Sequence, residues 1–294
     1  MEERPPTRDL AVLALGVLCA STAPPLIAAC AAPALAIAFW RTGAAAVILA
    51  SAALARGSLG RLRRPPRLAL LAGAALAAHF GCFVPSLSYT SVASSAALVS
   101  SQAVWAGLLG RMLGERLGGR AWTGTAICMS GVLLVTGVDV SLSTRALGGD
   151  VLALLAGMFG GAYIVTGGFA RRELSTLDYT LICYGTCGLL LLAVCVIAGV
   201  PLSGYAPVDW LRIAALTVFG QLLGHSLFNL VLRSISPTLV SLATLFTVPL
   251  SALIAAAALG QSPPAAAIPA FALLVAGTAM VISAKARRAR SEMV

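Results

Sequence analysis

Long apolar stretches separated by short polar connections make up most of the chain. A helix needs about 20 apolar residues to cross a bilayer, and ten stretches approach that length. They lie at roughly residues 10–30, 33–55, 67–87, 91–110, 120–138, 148–170, 178–199, 208–232, 237–259 and 264–284. Short connections favour antiparallel packing of consecutive helices. The pattern therefore predicts an all-α integral membrane protein with ten transmembrane helices.

The first apolar stretch has features of a retained helix. It ends in a double proline, it is long enough to span, and it lacks a clear A-x-A cleavage site of a secretory signal. Pro24-Pro25, Pro85 and Pro249 interrupt the first, third and ninth stretches, where they predict kinks or hinges.

The positive charges predict the orientation of the helices. Cytoplasmic loops of membrane proteins are enriched in Lys and Arg. With the N-terminus inside and ten spans, 17 of the 20 Lys and Arg residues fall in cytoplasmic segments. Only Arg145 and Arg212 fall outside, and Arg41 lies within a span. Both termini are therefore predicted to be cytoplasmic.

The second half of the chain is a degenerate copy of the first, displaced by 146 positions. The two histidines, His79 and His225, are separated by this interval. So are the pairs Ser95 and Ser241, Ala97 and Ala243, Leu113 and Leu259, Gly114 and Gly260, Gly131 and Gly277, and Val135 and Val281. Since each half holds five spans, an odd number, the second half enters the membrane from the opposite side, which gives an inverted repeat.

These patterns divide the chain into five segments. The predicted segments are a cytoplasmic tail (1–9), the first five-helix repeat (10–138), a periplasmic linker (139–147), the second five-helix repeat (148–284) and a basic cytoplasmic tail (285–294).

Composition supports a membrane location. Hydrophobic residues make up 59% of the chain and charged residues 10%, against about 25% charged in soluble domains. The net charge of +10 follows the predicted membrane topology, so no nucleic-acid partner is expected. All seven cysteines lie within or at the ends of apolar stretches, which predicts packing residues and neither a disulfide framework nor a metal site. We expect membrane lipids as partners and no cofactor; the oligomeric state is not defined, and a monomer fits.

Several motifs in this order resemble the EamA-like family of the drug/metabolite transporter superfamily. They are Phe39-Trp40-Arg41 in the second span, Gly114-Glu115-Arg116-Leu117 with Gly124 and Gly131 near the end of the first repeat, and Gly149-Asp150 with Tyr163 and Arg171-Arg172 in the sixth span. The resemblance implies ten helices in two inverted repeats that export amino acids or metabolites. Within the family, the chain is most similar to bacterial exporters of aromatic amino acids, which implies the inner membrane. Gln261 stands where the repeat would place a second glutamate, so that acid has no counterpart.

The acidic residues predict how transport is driven. All ten lie at the ends of predicted helices or in loops, whereas ionisable groups at membrane depth are the usual markers of proton and ion pathways. We therefore expect a facilitator that moves solute down its own gradient. Only His79 or His225 could relay protons, with Asp150 a weaker alternative near the end of the sixth span.

Polar groups on two spans provide the first candidate substrate-binding residues. Gln221, His225 and Asn229 are spaced four apart, on one face of an α-helix. These side chains could hydrogen-bond to a zwitterionic amino acid, or they could hydrogen-bond between helices. His79 and Phe83 share a face of the third span, and the pairing of His79 with His225 favours a cavity over simple packing.

The fourth and sixth spans provide the remaining candidates. Ser101, Gln102 and Trp105 lie close together in the fourth span, and Tyr163 lies deep in the sixth. Trp105 and Tyr163 could stack on an aromatic side chain, or pack in the core. For Arg41, we favour bonding to a buried carbonyl or hydroxyl over a role as a substrate clamp.

Together, the residues and the resemblance predict an inner-membrane exporter of aromatic and other amino acids that works by facilitated alternating access. Another small metabolite or a drug is the alternative cargo. A lipid flippase is less favoured, because Arg41 is the only cation predicted within a span. An intramembrane enzyme is disfavoured, because the chain has no HExxH or GxSxG motif and no paired acids at membrane depth.

Overall fold

The computed structural model describes residues 6–57, 67–90, 95, 98–114, 118–136, 144–259 and 267–291, and in these the regular elements are helices. The first half contains α1 (Thr7–Ala20), α2 (Ala23–Ala29), α3 (Ala34–Ala55), α4 (Arg67–Ser86), α5 (Gln102–Met112) and α6 (Gly119–Thr136). The second half contains α7 (Thr144–Ala170), α8 (Thr176–Ile197), α9 (Pro207–Ala215), a π-helix (Leu216–His225), α10 (Ser226–Val231), α11 (Pro237–Thr244), α12 (Thr247–Leu259) and α13 (Ala267–Ser291).

Seven helical stretches in the described part of the chain are long and apolar enough to cross a membrane. They are Thr7–Ala29, Ala34–Ala55, Arg67–Ser86, Thr144–Ala170, Thr176–Ile197, Pro207–Val231 and Pro237–Ala258. A shorter apolar helix covers Ile268–Ala284. The all-helical membrane class is therefore confirmed, while the number ten and the side of the termini stay predictions.

Some sequence predictions fall on residues that the structure does not describe. Among them are Ala97, Glu115, Arg116, Leu117, Gly260 and Gln261. Around the predicted linker and tail, α7 begins at Thr144 and α13 continues to Ser291. The division of the chain into five segments stays a prediction.

The first span is broken where the double proline predicted an interruption. Pro24 and Pro25 occupy the first turn of α2, where a missing N–H is tolerated. Proline cannot donate to the carbonyl four residues earlier, which for Pro25 is that of Ser21. The hydroxyl of Ser251 in α12 donates to this carbonyl at 2.8 Å. The carbonyl freed by the break in the first half therefore accepts a hydrogen bond from a side chain of the second half.

Helices α6 and α13, which the 146-residue shift relates, pack against each other in antiparallel directions. Cys128 Sγ lies 3.6 Å from the carbonyl oxygen of Leu274, its own shift partner. A Cβ at Gly131 would lie 3.0 Å from the Ala270 carbonyl, and one at Gly277 would lie 2.5 Å from the Gly124 carbonyl. The two contacts are equivalent under the 146-residue shift, because it relates Gly131 to Gly277 and Gly124 to Ala270. Equivalent helices that run in opposite directions are what an inverted repeat requires.

The prediction that Gln221, His225 and Asn229 lie along one α-helix was wrong for its first part. Residues Leu216–His225 form a π-helix, and the backbone N–H of Ser226 bonds to the Gln221 carbonyl, five residues earlier. Glycines let α1 approach this segment: the ideal Cβ position of Gly224 lies 3.2 Å from the Ala20 Cα. The spacing of polar residues in the sequence does not distinguish this wider helical turn from an α-helix.

Candidate functional site

The ring of Phe80, in the middle of α4, is the centre of a buried polar and aromatic cluster. The Arg41 guanidinium of α3 lies over this ring, 4.2 Å from its centroid. The His225 ring meets it edge-on at 5.3 Å between centroids, and the His79 ring lies 5.1 Å away. Two histidines predicted from repeat symmetry are thus brought to one aromatic ring, which sequence reasoning had not singled out.

A chain of hydrogen bonds links α7, α8 and α10 beside this ring. The Tyr163 hydroxyl donates to Asn229 Oδ1 at 2.8 Å, and Asn229 Nδ2 donates to the Tyr184 hydroxyl at 3.2 Å. The Tyr184 hydroxyl lies 3.1 Å from Ser226 Oγ. The Tyr163 ring also contacts His225, at 5.8 Å between centroids. Tyr163, Asn229 and His225 therefore belong to one cluster of contacting side chains.

His79 and Gln102 converge on Gly160 of α7. His79 Nδ1 lies 2.8 Å from the Ala156 carbonyl oxygen, so this nitrogen carries the proton and donates. A Cβ at Gly160 would lie 2.6 Å from Gln102 Oε1 and 2.9 Å from His79 Nδ1, so a larger residue here would displace these side chains. Phe83 stacks on the His79 ring with centroids 5.9 Å apart.

The candidates on α5 and just before it face α7. Gln102 Nε2 donates to Thr244 Oγ1 of α11. Ser101 Oγ is buried without a hydrogen-bond partner and faces Gly157. The Trp105 Cβ packs near Gly161, whereas the ring that Tyr163 contacts is that of His225. The structure thus places Ser101, Gln102 and Trp105, together with His79, against α7 of the second half. Tyr163 contacts His225 and Asn229 within the second half, and Phe83 packs on His79 within the first.

Gln221 interacts with Arg41 instead of extending a helical stripe. Arg41 Nε donates to Gln221 Oε1 at 3.2 Å, and both side chains are at most 2% exposed. Gln221 Nε2 and His225 Nδ1 are buried without a hydrogen-bond partner. The expectation that Arg41 bonds to a buried oxygen is met by an amide oxygen, while the Nε2 donor of the same amide has no partner.

The carboxylates of the described residues lie away from this cluster. Asp150 accepts from the Thr90 hydroxyl at 2.7 Å, near one end of α7. Asp209 pairs with Arg212 at 2.9 Å and accepts from the Ala31 N–H at 3.1 Å. Among the described ranges, the interior cluster therefore contains one arginine and no acidic side chain.

A second buried arginine has a different environment. Arg171, between α7 and α8, donates to the Asn229 carbonyl at 2.9 Å, to Thr176 Oγ1 at 2.7 Å and to the Leu174 carbonyl. Burial, followed by the nearby Arg233 charge, lowers the pKa of its guanidinium. Because its Nε, Nη1 and Nη2 all donate to oxygens of the chain, Arg171 stabilises the connection between α7 and α8.

A cavity of about 330 Å³ lies one helical turn from the Arg41–Phe80 pair. Its lining includes Ile37, four residues before Arg41 on α3, and Val84, four residues after Phe80 on α4. The remaining lining residues come from the end of α2, the turn into α3 and the end of α4: Ile27, Ala28, Cys30, Ala32, Ala34, Leu87 and Ser88. Its size falls within the usual range of small-molecule pockets, roughly 300–1,000 Å³.

Sequence reasoning missed Phe80, Tyr184 and Ser226 as members of the cluster. Tyr184 is fully buried on α8, and its depth within an apolar span, like that of Tyr163, was the available signal. Phe80 carried no signal, because a phenylalanine in a membrane span is ordinary.

Comparison with known proteins identifies the fold and the family. The model of the EamA-like transporter family matches twice, at residues 9–137 and 147–283. No protein of curated function matches the chain. Chains of solved structures that match number 29. One, described only as the crystal structure of a protein, is similar with a TM-score of 0.79 and 20% identity, over 95% of this chain and 98% of the other.

Proposed function

The chain belongs to the EamA-like transporter family, and from this premise we propose that it exports amino acids, aromatic ones among them, across a bacterial inner membrane. Members of this family are membrane transporters of small molecules and are not enzymes. The double match means that the family's two repeats account for nearly the whole chain. The proposal concerns the cargo, the membrane and the energy source.

The observation that carries the proposal is the chemistry of the interior cluster. It combines aromatic faces, from Phe80, Phe83 and Tyr163, with neutral hydrogen-bonding groups such as Asn229. Aromatic rings favour contact with flat apolar side chains, while amides and hydroxyls can exchange their internal partners for a backbone ammonium or carboxylate. An amino acid offers both kinds of group within a few ångströms.

We propose that transport is facilitated. A proton- or sodium-coupled carrier generally needs an ionisable acid at membrane depth, and within the described ranges the cluster has none. Export then follows the gradient of the cargo while the two repeats alternate access to the cluster.

Counterflow in liposomes tests the cargo. Vesicles containing the purified protein are preloaded with unlabelled phenylalanine, tryptophan, threonine, methionine, lysine or glutamate, and entry of the labelled amino acid is followed. Exchange restricted to phenylalanine and tryptophan supports an aromatic exporter, and exchange across the panel supports a general one. No exchange with any of them contradicts amino-acid export and favours another metabolite or a lipid.

A further inference from the structure

Arg41 is a buried cation without a counter-ion. Its side chain is 2% exposed, and no carboxylate of the described residues lies within salt-bridge distance of it. Burying an unpaired charge away from water is costly, so buried charges are ordinarily paired. The ring of Phe80 at 4.2 Å and the Oε1 of Gln221 at 3.2 Å provide partial compensation, but neither carries a negative charge.

The geometry leaves the donors of Arg41 unequally used. In the described part of the chain, its side-chain hydrogen bond runs from Nε. The neighbouring Gln221 is fully buried, and its Nε2 has no partner. A guanidinium edge beside an amide N–H₂ is a set of donors without acceptors. Arg171 gives the contrast, because its Nε, Nη1 and Nη2 all donate to oxygens of the chain.

We infer that Arg41 and Gln221 form an anion-binding subsite for a carboxylate of the transported molecule. The planar guanidinium fork matches a carboxylate in a bidentate manner, and Gln221 Nε2 adds a third donor. A single arginine among neutral and aromatic groups suits one negative charge. A phosphate dianion would need a second cation, which the cluster does not contain among the described residues.

A cavity lies close to this subsite. Ile37 and Val84 line the cavity and lie one helical turn from Arg41 and Phe80 on the same faces of α3 and α4. Gly220 on the π-helix packs closely beside the guanidinium, since a Cβ there would lie 3.2 Å from Arg41 Nη2.

This inference rests on the proposed transport function in one respect, because the anion is taken to be part of the cargo. The test is therefore a binding measurement on the purified full chain, in which a ligand that binds the folded state raises the unfolding temperature. The probes are phenylalanine, 3-phenylpropionate, phenylalanine amide and 2-phenylethylamine, with phenyl phosphate as the second anion. We expect phenylalanine and 3-phenylpropionate to stabilise the protein at concentrations at least tenfold lower than the other three.

Two substitutions locate the effect. Arg41→Gln should abolish the preference for the acid over its amide. Gln221→Glu places a carboxylate beside Arg41 with little change in shape, so the variant should fold, unfold at a temperature no lower than the wild type, and lose carboxylate binding. Arg171→Gln is the matched buried-arginine control, which should lower the unfolding temperature and keep the preference for the acid.

The subsite is wrong if no carboxylate stabilises the wild type more than its neutral analogue, or if the preference survives in Gln221→Glu. A preference for 3-phenylpropionate without amino-acid exchange in liposomes would keep the subsite and reject amino-acid export. Amino-acid exchange with equal binding of phenylalanine and its amide would keep export and reject the subsite.

Discussion

Replacing Gly277 with alanine tests the crossing of α6 and α13. An alanine Cβ at this position would lie 2.5 Å from the Gly124 carbonyl oxygen, 2.5 Å from Cys128 Sγ and 2.9 Å from the Cys128 backbone nitrogen. Two of these three atoms are backbone, which cannot rotate away. The two helices must therefore separate to admit one methyl group.

The expected magnitude follows from a comparison with Gly185 on α8, where a Cβ would meet nothing within 4 Å. Both substitutions place a better helix former inside a helix, which is favourable by roughly 0.5–1 kcal/mol. That gain cancels in the difference between the variants. What remains is the overpacking of a tight interface, which costs about 1–3 kcal/mol. At Gly131 the closest contacts would be 3.0 and 3.1 Å, so Gly131→Ala should fall between the other two.

The measurement is the free energy of unfolding in mixed micelles, followed by tryptophan fluorescence over a denaturant series. The order of stability should be Gly185→Ala, then Gly131→Ala, then Gly277→Ala. If Gly277→Ala is as stable as Gly185→Ala, α6 and α13 do not cross at these glycines, and the pairing of equivalent helices across the two halves is incorrect.

Three further predictions concern the interior cluster. In a double-mutant cycle, Tyr163→Phe and Asn229→Leu should show a coupling of about 0.6 kcal/mol and at most about 1.7 kcal/mol, the range for hydrogen bonds inside membranes; additive effects would mean that the 2.8 Å bond is not formed. His79→Ala and His225→Ala should each reduce transport several-fold while membrane expression is unchanged, and wild-type rates in both would assign the rings to packing. Uptake into proteoliposomes should not respond to an imposed pH or sodium gradient, and strong stimulation by either would contradict facilitated transport.

The membrane class followed from the sequence because apolar length and charge distribution are properties of the chain itself. The halves were also recognisable, since a fixed displacement of 146 residues leaves matching glycines at helix contacts such as Gly131 and Gly277. Their physical role was not visible in the pattern. In the structure each lies close to a backbone carbonyl of the opposite repeat, so that a Cβ would be 3.0 Å from it at Gly131 and 2.5 Å from it at Gly277.

The partners within the site could not be predicted, because they depend on how the helices are placed. Arg41 and Gln221 are 180 residues apart, and nothing local in either segment indicates the other. Asn229 was read as part of a stripe with His225, yet its amide bonds to Tyr163 and Tyr184, on two other helices. Polar residues inside a membrane protein predict that bonds exist, and only packing determines their partners.

The two histidines show how equivalent positions can acquire different chemistry. His79 lies on an α-helix and bonds to a backbone carbonyl of α7, so its ring is oriented by the chain. His225 ends a π-helix, and its Nδ1 is buried without a partner. A wider helical turn changes where a side chain points relative to the neighbouring helix. An oriented ring suits a fixed wall of the cluster, while a ring with an unmet nitrogen is available to a ligand. If both residues affect transport, His225→Ala should weaken ligand binding, whereas His79→Ala should act by loosening the α4–α7 contact and should lower the unfolding temperature.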